Sequence, residues 1–111
     1  MTDNQPQEIS LYSTRQRQHL KALAHPLKPL VHIGKEGMSP AVITTIQKEL
    51  EHHELIKVKI GNNSGLERHK TSALIAEASE SFLVQLIGKI FVLYKPNPDK
   101  TKDRRIELPR R

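Results

Sequence analysis

Gly34-Lys35-Glu36-Gly37 is the stretch of this 111-residue sequence whose residue types point most directly to chemistry. It follows the short apolar run Leu30-Val31-His32-Ile33 and precedes Ser39-Pro40, a pair suited to the N-cap and first position of a helix. A glycine loop entering a helix N-terminus offers free backbone N–H groups and the positive end of the helix dipole. Glycine also lets another backbone come close, and Lys35 adds a cation. The chemistry such a loop performs is electrostatic capture of a phosphate. The Gly-Lys-Ser/Thr ending of a nucleotide-hydrolysing P-loop is absent.

No other set of side chains converges as well. His19 and His25 are six residues apart, His52 and His53 are adjacent and cannot share a helix face, and no H-E-x-x-H occurs, so no metal site is expected. His25, His52 and His53 instead suit the negative ends of helix dipoles. Glu49, Glu51, His52 and Glu54 read as a solvated helix end rather than an acid–base cluster. The absence of Cys removes disulfides, thiolate zinc sites and thiol nucleophiles. With no compact nucleophile or acid–base set, neither catalysis, a cofactor nor a small-molecule substrate is expected. A phosphate-binding loop of this type matches the GxxG loop with which KH domains clamp nucleotides.

Charge sharpens this reading. Eighteen Lys and Arg against twelve Asp and Glu leave +6, which favours an anionic partner, nucleic acid ahead of a membrane. The surplus is segregated: residues 14–33 carry Arg15, Arg17, Lys21 and Lys28 and no acid, and Lys57 and Lys59 share one face of a strand pattern. No apolar run reaches the roughly 20 residues of a membrane span, and Met1–Ser10 lacks the pattern of a secretory signal, so a cytoplasmic protein is expected.

The elements that must position these residues follow from periodicity. Residues 1–12 are polar and read as a disordered lead. Ser13 or Thr14 caps a first helix with Leu20, Leu23 and Ala24 on its apolar face, stopped by Pro26. Leu30–Ile33 reads as a strand. A second helix runs from Pro40 to about His53 with Val42, Ile43, Ile46 and Leu50 inward. Ile56, Val58 and Ile60 alternate with Lys57 and Lys59 as in a half-buried strand, and Gly61–Gly65 is a turn-rich loop. Residues 66–80 return to helical period, with Leu66, Ala73, Leu74 and Glu77 separating its faces imperfectly. Gly88-Lys89 joins two apolar runs, 82–87 and 90–94, as a hairpin whose Phe82, Phe91 and Tyr94 belong to the core. The order α-β-α-β-α-β-β predicts an α/β two-layer sandwich with a mixed four-stranded sheet. Residues 97–111 read as a basic, mobile C-terminal tail with Ile106 and Leu108 as docking points.

Four ordered blocks carry a family resemblance: Arg15–Pro29, Val31–Gly37, Leu50–Ile60, and Val84–Lys89 continuing through Val92–Pro96. They resemble the chloroplast RNA splicing and ribosome maturation (CRM) domain, in particular its bacterial stand-alone YhbY-type members, over about residues 13–96, with Leu108-Pro109-Arg110 similar to the family's ending. The resemblance implies a fold like the C-terminal domain of bacterial translation initiation factor three and a KH-like GxxG loop. It implies a non-catalytic ribosome assembly factor that binds ribosomal RNA in large-subunit precursors. By position, Gly34, Lys35 and Gly37 match the family's loop, and Lys21, His25 and Lys28 its basic first helix and turn. Arg15, Arg17, Lys57 and Lys59 are expected to widen the footprint. Glu36 departs from the pattern by placing an acid inside the loop. An adaptor binding ribosomal proteins and an RNA-processing enzyme are the alternatives.

Overall fold

The structure, a computed structural model, describes residues 11–111. Of the lead expected over residues 1–12, residues 1–10 lie outside the described residues. Helix α1 (Thr14–Ala24) starts at a capping box: Gln16 N donates to Ser13 Oγ at 3.1 Å and Ser13 N to Gln16 Oε1 at 3.0 Å. Helix α2 (Pro40–His53) starts where Ser39 Oγ accepts from Val42 N at 3.2 Å, and it ends at Glu54, a left-handed residue at φ 63°. Helix α3 (Arg68–Ala78) is capped by the Glu67 carboxylate, which accepts from His69 N and Lys70 N. Those two backbone donors hold the Glu67 carboxyl down at about 2.

Strands β1 (Val31–Ile33), β2 (Leu55–Ile60), β3 (Phe82–Ile87) and β4 (Ile90–Tyr94) form one mixed sheet in the order β1-β2-β4-β3. The α2 crossover makes β1 and β2 parallel neighbours, with Val31 opposite Val58 and Ile33 opposite Ile60. The α3 crossover returns β3 in the direction of β2, but β4 is inserted between them and pairs antiparallel to both. The mixed four-stranded α/β sheet and its element order are as the sequence predicts.

Alternation along β2 sorts the core. Ile56, Val58 and Ile60 face α2 and α3, joining Ile33, Ile46, Leu50, Ile75, Phe91 and Leu93. Leu55 faces the other way, toward Leu20 and Ala24 of α1, with Val84, Val92 and Tyr94. Each such side chain contributes about 1.5–3 kcal/mol relative to exposure. Thus α2 and α3 over the sheet make the expected two layers, and α1 with the C-terminal segment covers part of the opposite face. On α1 itself Leu20 and Ala24 are buried, whereas Leu23 is exposed.

On α3, whose faces the sequence separates only imperfectly, the inward face is Thr71, Ser72, Ile75 and Ala76, while Ala73 and Leu74 lie outside. The hydroxyl of Ser72 donates to His69 O at 3.1 Å, so a polar residue is buried without losing its hydrogen bond. Tyr12, assigned to the lead, packs edge-on against Phe82 and Tyr94 at 4.8 and 5.5 Å between ring centroids. Glu54 is no part of a solvated helix end. It is 1% exposed, and its carboxylate accepts from Asn97 N and Ile106 N, both at 2.6 Å. The segment after Pro96, expected to be mobile, therefore lies against the body. Ile106 and Leu108 join the α1-side core and Gln16 Nε2 donates to Pro109 O.

Burial pushes the Tyr94 phenol up to about 12, and the charges of Tyr12 and Glu54 act in the same direction. A phenol raised in the folded state stabilises fully below its ordinary value of 10.0, and that stabilisation is lost as pH rises through about 12. Tyrosinate absorbance should therefore show Tyr94 ionising near pH 12, with loss of helical circular dichroism over the same window. A Tyr94 titration at its ordinary value with the fold intact would contradict the buried position.

Candidate nucleic-acid interface

The chain leaves β1 at Ile33 and turns through Gly34–Gly37, where Gly37 N donates to Gly34 O at 3.0 Å. The two glycines have different reasons to be glycine. Gly37 is buried at φ +66°, with the Leu66 methyls 3.8 Å from where a Cβ would sit. Gly34 is exposed, and a Cβ there would meet nothing within 4 Å. Gly34 thus leaves an open side, and Gly37 serves the turn.

The donors in reach are few and definite. At the head of α2, Pro40 has no N–H, and the amides of Val42 and Ile43 donate to Ser39 Oγ and Ser39 O. Ala41 N is left, and among the described residues the loop amides of Lys35 and Glu36 also hold no hydrogen bond. Lys35 and Glu36 are both exposed at the tip.

Sequence reasoning missed the buttress of this loop. Gly61 N donates to Ile33 O at 2.8 Å, and a Cβ on Gly61 would lie 2.9 Å from that oxygen and 4.0 Å from Gly34 Cα. The loop after β2 thus holds the glycine loop at both ends, through Gly61 at Gly34 and Leu66 at Gly37. The only signal in the sequence was a glycine directly after a strand, and its partner is remote in the chain.

The basic residues divide. Lys21 and His25 stand four apart on one side of α1 and, with Lys57, line a groove of about 460 Å³ between α1 and the sheet. Lys57 Nζ donates to His25 O at 3.1 Å and Leu27 O at 2.9 Å, which fixes this cation where the α1 dipole is negative. Lys59 is exposed on the same sheet face and pairs in register with His32 of β1. Lys28 is exposed in the turn after α1. Arg15 and Arg17 are not brought together, since residues two apart on a helix do not face each other. Arg15 is exposed, and Arg17 Nη2 donates to Thr14 Oγ1 at 3.2 Å on its own helix. Among the described residues no three of His, Asp and Glu gather as metal ligands, and no helix is long and apolar enough to cross a membrane.

A mixed four-stranded sheet with three helices, a buttressed glycine loop at the head of a capped helix and a groove lined by Lys21 and Lys57 beside it define the class as a compact α/β domain. The chain belongs to the CRS1/YhbY (CRM) domain family, whose model matches residues 13–95. It is 39% identical over 103 residues to a Haemophilus influenzae protein named RNA-binding protein, covering 93% of this chain and 100% of that one. It is 36% identical to Bacillus subtilis YqeI, named a probable RNA-binding protein, over 86% of this chain and 96% of that one. The solution structure of the hypothetical Staphylococcus aureus protein SAV1595, described as a candidate RNA-binding protein, superposes with a TM-score of 0.67. That pair shares 33% identity, over 89% of this chain and all of the other.

Proposed function

We propose that this protein is a non-catalytic, cytoplasmic RNA-binding protein that acts on ribosomal RNA of large-subunit precursors as an assembly factor. The observation that carries the reading is the Gly34–Gly37 loop, whose Lys35 and Glu36 amides are unbonded and whose Gly34 side is open. A phosphate received there meets backbone donors, the α2 dipole and Lys35 together. Lys21, His25, Lys28, Lys57 and Lys59 extend the positive surface along the sheet face and the α1 turn, and Arg15 and Arg17 continue it on α1. The names of the relatives support RNA as the partner. The ribosomal assignment rests on the family resemblance.

Gly34→Asp is the clean test, because the site has room for the side chain while Gly37 does not tolerate one at its positive φ. The expected result is a roughly tenfold or greater loss of affinity for large-subunit ribosomal RNA fragments, with an unchanged melting temperature. In the wild type, the slope of log K against log salt should lie at roughly −2 to −4, as for three to five neutralised phosphates on a single strand. A slope near zero, or unchanged affinity in Gly34→Asp, would remove the phosphate loop from the mechanism. Co-sedimentation with large-subunit precursors, abolished by nuclease, tests the ribosomal assignment.

A further inference from the structure

The groove between α1 and the sheet differs in chemistry from the glycine loop. Its floor is apolar, formed by Ile87, Ile90 and Val92 at the hairpin end of β3 and β4. Ile87 is 64% exposed, so this end of the floor is open to a ligand. Two amides, Gln18 from α1 and Gln85 from β3, reach the same space, and each carries donors and an acceptor. The remaining polar lining is Lys21, His25 and Lys57, and among the described residues no carboxylate borders the groove. Lys57 is already held by two carbonyls, so its charge is in place before any ligand arrives.

We propose that this groove binds one unpaired base of an RNA single strand whose backbone also engages the glycine loop. The inference rests on the RNA-binding reading above. An apolar floor accepts the face of a base, the two amides meet its hydrogen-bonding edge, and Lys21 and Lys57 lie beside it for the flanking phosphates. A peptide or a lipid chain would use the floor but leave the paired amides and cations without partners. A duplex hides its base faces in the stack, so only an unpaired nucleotide fits. The volume of about 460 Å³ falls within the range of small-ligand pockets. Register ties the two sites together: Leu30 N donates to Lys57 O at the level of the groove, and Gly34 lies four residues further along, about 13 Å at strand rise. His32 and Lys59 occupy the surface between.

The test uses the full chain with labelled methyl groups and three probes: a short single-stranded RNA, an abasic strand of the same length, and a duplex. Fluorescence anisotropy measures binding and methyl NMR locates it. The expected result is an upfield ring-current shift of the Ile87 and Ile90 methyls with the single strand and none with the abasic strand. Gln85→Ala with Ile87→Ala should weaken the single strand about fivefold to twentyfold, and leave the abasic strand unaffected. Binding by anisotropy with equal methyl shifts for both strands, or with none, would overturn the base site while the RNA-binding reading stands. Absence of binding to every probe would overturn both.

Discussion

Glu54→Ala is expected to lower the unfolding free energy by about 3–5 kcal/mol. The Glu54 carboxylate accepts from Asn97 N and Ile106 N at 2.6 Å each, in a site 1% exposed to solvent. Hydrogen bonds to a charged group contribute about 1.5–3 kcal/mol each, and alanine leaves both amides to find water or stay unpaired. At about 4 °C per kcal/mol for a domain of this size, the melting temperature should fall by about 12–20 °C. The same residue's carbonyl accepts from Lys95 N at 2.8 Å, so the backbone anchor survives the substitution and the loss belongs to the carboxylate. Glu54→Gln keeps the shape and one acceptor oxygen and should fall between. Limited proteolysis should find new cleavage at Lys102, Arg104 or Arg105 in the alanine variant, because Ile106 is released from the body. A loss below about 1 kcal/mol, the ordinary scale of a surface change, would mean that the carboxylate does not hold the C-terminal segment.

Gly61→Ala should act on both stability and binding. The added Cβ would sit 2.9 Å from Ile33 O, closer than real Cβ atoms approach, and that oxygen is held by Gly61 N at 2.8 Å. Either the hydrogen bond opens or the end of β1 shifts, at a cost of about 1–3 kcal/mol as for other overpacked sites. Because Gly34 follows Ile33 directly, the shift passes into the glycine loop, and affinity for RNA should fall with stability. Asn62→Ala, one residue on and exposed, should stay within about 0.5 kcal/mol of wild type. Chemical denaturation measures the first effect and titration with RNA by fluorescence anisotropy the second. If Gly61→Ala matched Asn62→Ala in both, the close approach would not constrain the loop.

These two residues mark where reading from sequence stops. Capping and periodicity are local, so Ser13, Ser39-Pro40 and the alternation of Ile56, Val58 and Ile60 located α1, α2 and β2 with little error. Gly88-Lys89 placed the hairpin for the same reason. The glycine loop was legible because its residue types, its strand and its helix cap are contiguous. By contrast, the faces of α3 separate only imperfectly in sequence: Thr71 and Ser72 look polar there yet are buried, and the Ser72 hydroxyl is satisfied by His69 O in the helix.

By itself, then, the sequence determined the elements, their order, the glycine loop and the segregation of positive charge, all of which depend on neighbours a few residues apart. The tertiary structure alone decided which of those charges meet. It inserted β4 between β2 and β3, brought Lys57 against the end of α1, set Gly61 against Ile33, and buried Glu54 as the clasp of the C-terminal segment. Each of these joins residues 28 or more apart in sequence, or strands whose neighbours are chosen by packing. The physical reason is that hydrogen-bond and steric complementarity between remote segments leaves no periodic trace in the chain.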